Sequence, residues 1–303
     1  MQNRTLKIGT RGSKLALWQA DCVKCCITAL FPDIIIETLI IKTTGDRIQD
    51  VALSKIGDKG LFTKELEQSL LQGDIDMAVH SLKDLPTELP DGLLIGGILQ
   101  RGTAGEVLLS RSGKRLSELT PADRLGTSSL RRRAQLLHWN PNLQIADVRG
   151  NVDTRIRKLQ EGHCDALIMA EAGIVRLGYE QLITERISHE IILPATAQGA
   201  VAVQVCDDND RAAGIAESIT DELTWHLTMA ERAFLRTLDG GCHTPVGCHA
   251  ELIGTNVQIT GMLAALNGSP LIRASITCPL EEASEKAVEL AEQIRADFLR
   301  ASC

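Results

Sequence analysis

The sequence predicts an α/β protein with two doubly wound domains, followed by a smaller α+β domain with a three-stranded antiparallel sheet. Three observations support this. The chain has 303 residues, which is too long for one ordinary core. Strand and helix patterns alternate up to about residue 200, as in parallel sheets covered by helices. Beyond about residue 220 the order becomes helix, three strands, helix.

The first domain is predicted from residue 6 onward. Residues 6–9 form a strand, and Ser13 caps a helix whose apolar residues recur at helical spacing until Phe31 and Pro32 end it. The β-branched run at residues 34–42 predicts a buried strand. A loop at 43–60, a helix at 61–71 and a strand at 76–80 follow. Strand and helix in this order predict a parallel, doubly wound sheet.

The same alternation predicts a second domain and then stops. Its strands are expected at residues 125–128, 145–148 and 166–170, and its helices at 129–139 and 152–159. A strand at 199–206 is expected to return to the first domain, by analogy with two-lobed binding folds. Helices at 224–238 and 281–299 enclose strands at 251–253, 257–262 and 271–277. The predicted domains are 1–99 with 200–219, 100–199, and 220–303.

Composition restricts the class of protein. Hydrophobic residues make up 44% and charged residues 23%, which fits a globular protein and excludes disorder. No apolar run approaches the ~18–20 residues that span a bilayer, and the N-terminus MQNRTLKIGT lacks a signal peptide. Nine irregularly spaced cysteines predict free thiols. Aromatic residues, at 3%, are too few for base stacking. We therefore expect a cytoplasmic protein that binds neither membrane nor nucleic acid.

Positive charge is concentrated in one stretch of an acidic chain. The net charge is −7, yet residues 124–158 contain eight basic and two acidic residues, a net +6. Within it, Thr127, Ser128 and Ser129 precede Arg131, Arg132 and Arg133 at a strand-to-helix junction. Helix starts bind anions, and arginine forks bind carboxylates. A solvated basic face is the alternative, but cations there oppose the helix dipole.

Similar turns occur elsewhere. Arg149 and Arg155 flank Gly150 after the next predicted strand, and Arg11 and Ser13 follow the first strand. Because open α/β sheets bind ligands at the carboxyl ends of their strands, these turns predict one anion-binding cleft. Lys83 and Asp84 also follow a strand, where an ordinary surface pair before Pro86 is an equal alternative.

The cysteines allow several interpretations. The segment 240–249 reads GGCHTPVGCH, which suggests zinc, but in an extended segment Cys242 and Cys248 face away from His243 and His249. A nucleophile or attachment point on a glycine loop fits Cys242 better, with an ordinary thiol as the alternative. Cys22 and Cys25 form a C-x-x-C pair on the first helix, interpreted as incidental.

Taken together, these segments resemble the hydroxymethylbilane synthases, also called porphobilinogen deaminases, over nearly the whole chain. The two lobes of that family have a periplasmic-binding-protein-like fold. The stretches that carry the resemblance are residues 9–13, 15–19, 59–67, 80–86, 126–132, 149–155, 172–173, 176–178, 198–200 and 240–242. Each is short, but their order and spacing make coincidence implausible.

The resemblance implies an activity and a set of site residues. The family condenses four porphobilinogen molecules head to tail, releases ammonia and hydrolyses off hydroxymethylbilane, and it acts as a monomer. Asp84 would be the catalytic carboxylate, and Cys242 would hold a dipyrromethane cofactor through a thioether. The other cofactor-binding residues would be Ser13, Lys83, Asp84, Thr127, Ser129, Arg131 and Arg132. The substrate-binding residues would be Arg11, Gln19, Arg149, Arg155 and Arg176. No metal is implied.

The chain departs from the family pattern in a few places. Residues 100–106 read QRGTAGE instead of E-R-x-D-P-R-D, Asp58 and Ala197 stand where glycine is usual, and the usual Gly-Ala-containing tail is missing. Slower turnover or altered loop dynamics would follow. The competing hypothesis is a two-lobed protein that binds a small anion without catalysis. The positions of Cys242 and Asp84 favour the enzyme.

Overall fold

The protein is described here by a computed structural model, which covers residues 5–47, 62–238 and 245–302. The chain forms two compact units. The first comprises Met1–Gln49, Asp58–Gly102 and Ala200–Trp225, and the second comprises Asp50–Gly57, Thr103–Gly199 and His226–Cys303. The predicted division into three domains therefore stays a prediction. No helix in the described residues is long and apolar enough to cross a membrane.

The described strands are β1 (Thr5–Thr10), β2 (Ile35–Ile40), β3 (Met77–Ser81), β4 (Leu93–Ile98), β5 (Glu106–Ser110), β6 (Arg124–Gly126), β7 (Gln144–Ala146), β8 (Ala166–Ala170), β9 (Glu185–Ile187), β10 (Val201–Cys206), β11 (Val246–Ile253), β12 (Asn256–Ala264) and β13 (Leu271–Cys278). The α-helices are α1 (Lys14–Leu30), α2 (Thr44–Arg47), α3 (Lys64–Leu71), α4 (Leu130–Trp139), α5 (Val152–Gln160), α6 (Glu171–Arg176), α7 (Asp210–Ser218), α8 (Glu222–Thr237) and α9 (Ala283–Ala301).

These strands build three sheets. The first has the order β2-β1-β3-β10-β4, the second β7-β6-β8-β5-β9 and the third β11-β12-β13. The predicted fold class is confirmed, and β10 returns to the sheet of the first unit as expected. The two larger sheets are mixed, however, because β10 and β5 run antiparallel to their neighbours. The expectation of purely parallel pairing is wrong there. Strands β4, β5 and β9 were not predicted; β4 contains two glycines, which disfavour strands.

The prediction that the second strand is buried is wrong. Among the described strands, β2 pairs with β1 alone and lies at the edge of its sheet, where Ile35 is 62% and Ile40 57% exposed. Its β-branched sequence favours a strand but does not determine which neighbours cover it.

Helix α1 packs on the first sheet as its periodicity predicts. Ser13 caps it, because its hydroxyl accepts a hydrogen bond from the Ala16 N–H at 3.2 Å. Ala20, Val23 and Ile27 are buried against Leu6 on β1. This packing fixes the direction in which the turn after β1 leaves the sheet.

Within the second unit, the C-terminal sheet has its own core and also contacts the larger sheet's helices. Phe234 on α8 and Ile294 on α9 pack onto Gly261 of β12, where any side chain would overlap the phenyl ring. Ala134 on α4 packs with Met262 in a separate small cluster. The helix that carries the basic cluster is therefore braced by the C-terminal sheet.

Candidate active site

Two turns of the first unit lie at the same edge of its sheet. Strands β1 and β3 are parallel neighbours, so their carboxyl ends meet at one edge. Strand β1 leads into Arg11 and Ser13, and β3 leads into a 3-10 turn that carries Lys83 and Asp84. Four of the predicted site residues therefore share this edge.

The Lys83–Asp84 turn presents both charged side chains to solvent. Leu82 anchors the turn, because it is buried and its N–H donates to the Ala200 carbonyl at 3.0 Å. The Leu85 N–H closes the turn on the Leu82 carbonyl. An exposed carboxylate next to an ammonium group on a rigid turn is suited to a substrate that becomes cationic as it reacts.

The neighbouring residues include one that the sequence reasoning missed. The Arg11 guanidinium lies 4.3 Å from the centre of the Phe62 ring, a cation–π contact. Phe62 lies in the stretch 59–67 that matches the family, but no role was predicted for it. Its rarity could have drawn attention to it, because the chain contains four phenylalanines. Gln19 is buried and donates to Ser81 Oγ at 2.8 Å, so its amide holds the β3 end.

In the second unit, the hydroxyls after β6 surround a pocket of about 390 Å³. Ser129 caps α4 by accepting from the Arg132 N–H, and Thr127 Oγ1 accepts from the Ser129 N–H at 3.2 Å. Ser128 Oγ is buried and has no partner among the described residues. The pocket is lined by Thr127, Ser128, Ser129, Leu130, Arg133, Leu137, Asp147, Leu266 and Asn267. The hydroxyls of Thr127, Ser128 and Ser129 are hydrogen-bond donors that suit a carboxylate.

Arg131 and Arg132 do not line this pocket, because both point to a buried carboxylate. They are 7% and 5% exposed, and Glu106 on β5 is 0% exposed. Arg131 Nη2 lies 2.6 Å from Glu106 Oε1, and Arg132 Nη2 lies 2.7 Å from Oε2. Burial alone raises the pKa of Glu106, but the two arginine charges and their hydrogen bonds lower it to about 2. Sequence reasoning identified the arginines and missed their counter-ion.

Arg155 and Arg176 are held by backbone carbonyls, whereas Arg149 has an unpaired nitrogen among the described residues. Arg155 Nε donates to the Gly150 carbonyl at 2.7 Å, and Arg176 Nη2 donates to the Gly199 carbonyl at 2.6 Å. Gly150 has a φ of 122°, a conformation that only glycine adopts readily. Arg149 Nη1 is buried and has no acceptor within the described residues. An anionic group would complete its hydrogen bonding.

Comparison with known proteins identifies the family. Residues 6–214 match the family model "Porphobilinogen deaminase, dipyromethane cofactor binding domain", and residues 225–296 match "Porphobilinogen deaminase, C-terminal domain". The chain belongs to the porphobilinogen deaminase family. The resemblance inferred from its short motifs is confirmed.

Curated relatives agree over nearly the full length. The porphobilinogen deaminase of Syntrophomonas wolfei is 48% identical over 96% of this chain and 95% of its own. That of Chlorobaculum tepidum is 44% identical over 95% and 94%. Among solved structures, an arginine-specific periplasmic binding protein of Salmonella typhimurium aligns with a TM-score of 0.42 and 15% identity, over 74% of this chain and 94% of its own.

The porphobilinogen deaminase cofactor can be tested against the residues that are described. A dipyrromethane carries carboxylates, which accept hydrogen bonds from hydroxyl and guanidinium groups. Such donors are present here: the hydroxyls of Thr127, Ser128 and Ser129, and Arg149 Nη1, which has no acceptor among the described residues. The donor set therefore fits. Cys242 and His243 lie outside the described residues, as does Asp58. Among the described residues, no group of three or more His, Cys, Asp and Glu side chains is placed to hold a metal.

Proposed function

We propose that this chain condenses four porphobilinogen molecules head to tail, releases ammonia at each addition, and hydrolyses off linear hydroxymethylbilane. Membership of the porphobilinogen deaminase family supports a transferase of tetrapyrrole biosynthesis. The observation that carries the chemical assignment is the exposed Lys83–Asp84 turn at the strand edge of the first unit.

We propose that a dipyrromethane is attached to Cys242 through a thioether. When bound, this group supplies the pyrrole carbon to which the first substrate is added. Ser13, Lys83, Thr127, Ser129, Arg131 and Arg132 would hold its carboxylates. Cys248 is a poor alternative anchor, because it is fully buried on β11.

Asp84 is proposed as the catalytic residue. Ammonia leaves porphobilinogen as a neutral molecule only from the protonated amine, and its departure leaves a cationic azafulvene. The Asp84 carboxylate can stabilise that cation and accept the proton lost after the new carbon–carbon bond forms. The Leu82 N–H and Gln19, acting on Ser81, fix the backbone of the turn, so the position from which the carboxylate extends is set before the substrate arrives.

Arg11, Gln19, Arg149, Arg155 and Arg176 are proposed to bind the acetate and propionate groups of incoming substrate. Arg149 Nη1 supports this role, because it is buried and has no acceptor among the described residues. Gln19 and Arg155 would use their remaining hydrogen-bonding capacity, because one donor of each is already committed within the fold.

We also propose that the protein is a cytoplasmic monomer that binds neither nucleic acid nor membrane. Its three domains would be residues 1–99 together with 200–219, residues 100–199, and residues 220–303. Light scattering on the eluted peak of a size-exclusion column tests the monomer directly. A mass near twice 32.9 kDa would contradict it.

Intact-protein mass spectrometry tests the covalent cofactor. Purified protein should be heavier than its sequence mass of 32.9 kDa by one dipyrrole. Cys242→Ser should fold, show the bare mass and form almost no product, whereas Cys25→Ser, which changes an exposed thiol, should keep the added mass. A bare mass for the wild-type protein, together with no product formed from porphobilinogen, would favour the competing anion-binding hypothesis. Added mass on Cys242→Ser would move the anchor to another cysteine.

A further inference from the structure

A buried carboxylate lies between two arginines at the start of α4, and the proposed chemistry gives it no role. Glu106 is the first residue of β5 and is fully buried. Its Oε1 accepts hydrogen bonds from Arg131 Nη2 at 2.6 Å and from Arg132 Nε at 3.0 Å. A carboxylate buried this deeply persists only where cations compensate its lost hydration.

The two arginines differ in how many of their guanidinium nitrogens already have an acceptor. Arg132 uses all three guanidinium nitrogens, since Nη1 donates to the Ile168 carbonyl at 3.0 Å while Nε and Nη2 face Glu106. Arg131 uses its two terminal nitrogens, on Glu106 and on the Leu193 carbonyl. In the described part of the chain its Nε has no acceptor.

The charges of this cluster do not cancel. One carboxylate and two guanidiniums leave a net charge of +1 in a region where the protein screens charge weakly. Without an acceptor oxygen at position 106, two guanidiniums held side by side would repel each other and lose their common orientation, whereas a glutamine there keeps one acceptor oxygen and removes only the charge. Because the two guanidiniums lower the pKa of the Glu106 carboxyl to about 2, Glu106 is ionised at neutral pH and contributes its full negative charge to the cluster.

We propose that Glu106 is a positioning residue: it fixes the Arg131 and Arg132 guanidiniums and reduces their combined charge to +1, the charge that pairs with a single carboxylate of a bound pyrrole. This inference rests on the proposed role of these arginines in carboxylate binding. Glu106, which lies 25 positions before Arg131 in the chain, would therefore set the charge that this cluster offers to a bound carboxylate.

Acetate binding tests the charge of the cluster. The measurement uses the full chain carrying Cys242→Ser, so that no covalent pyrrole occupies the site, and follows thermal unfolding against acetate concentration. Glu106→Gln should bind acetate roughly threefold or more tightly than the parent, because the cluster carries one more positive charge. Glu106→Asp, which keeps the charge, should bind as the parent does.

A control variant and a conservative variant keep the test decisive. Asp123→Asn removes a carboxylate from the ion pair with Lys114, in which the Asp123 side chain is 14% exposed, and should leave acetate binding unchanged. If Glu106→Gln does not fold, Glu106→Asp decides the test, because it keeps the charge of the cluster and should keep the parent affinity for acetate. Equal affinity in Glu106→Gln and its parent, or loss of acetate binding in Glu106→Asp, would overturn the inference. The mass of active wild-type protein tests the proposed function separately.

Discussion

The Gln19 amide donates a hydrogen bond to Ser81 Oγ over 2.8 Å and thereby joins α1 to the turn that carries Lys83 and Asp84. Gln19 is buried, so this bond is protected from competing water. The turn is therefore held both by its strand and by the first helix, which is the rigidity that a catalytic carboxylate requires.

Replacement of Asp84 tests its catalytic role. Asp84→Asn keeps the shape and removes the charge, so turnover should fall by roughly 10²-fold or more while the fold is kept. Asp84→Glu keeps the charge and should retain measurable activity. Single-turnover ammonia release measures the effect, and Asp91→Asn, an exposed change in the same unit, is the control. A near-normal rate in Asp84→Asn would move the search to another carboxylate.

The arginines should separate into groups in a product-formation assay. Arg149→Leu and Arg155→Leu should impair cofactor assembly or elongation, whereas the exposed Arg157→Leu should have a milder effect. Arg133→Leu should lie between the two, because Arg133 is exposed but lines the pocket after β6. Arg131→Leu and Arg132→Leu should impair function and also lower the free energy of unfolding by about 3 kcal/mol or more, because Glu106 loses a buried partner. Equal, small effects across all six variants would exclude the anion-binding model.

Ala197→Gly should stabilise the protein. Ala197 has a φ of 58°, in the left-handed region, and its N–H donates to the buried Glu231 carboxylate. Glycine keeps that hydrogen bond and removes the steric cost, so the free energy of unfolding should rise by about 0.5–1 kcal/mol. The control is Ala195→Gly, at a position without a positive φ, which should destabilise. Chemical denaturation measures both, and a loss of stability in Ala197→Gly would contradict the expectation.

His80 should make stability depend on pH. Burial lowers the pKa of His80 from 6.5 to about 4, so between those values the unfolded chain binds more protons. The free energy of unfolding should therefore fall as the pH falls from 6.5 to 4, by up to about 1.4 kcal/mol per pH unit. His80→Gln should remove this slope.

Glu67 on helix α3 also contributes to the pH dependence of the free energy of unfolding. Burial raises the pKa of Glu67, which gives a contribution of the opposite sign: stability that is present at low pH and is lost as the pH rises. The burial that raises the pKa of Glu67 is present in both proteins, so most of its contribution cancels in the difference between wild type and His80→Gln; Gln204, which interacts with both side chains, links the remainder to His80. The exposed His163→Gln should leave the slope unchanged, and an unchanged slope in His80→Gln would show that His80 titrates normally.

The sequence by itself determined the position of the capped helices and the family. Helical spacing and the Ser13 cap located α1, the Ser129 cap located α4, and the motifs around Asp84 and Cys242 identified the enzyme family. These signals are local, because capping and the period of burial are set within a few turns of chain.

Tertiary structure alone decided which elements became neighbours. It placed β2 at an exposed edge and brought Glu106 on β5 against Arg131 and Arg132 on α4. The sequence showed a basic cluster, but how much of its charge remains for a ligand depends on a carboxylate from a distant strand. Pairing of charges depends on strand order and on burial, and neither can be read from the spacing of residues along the chain.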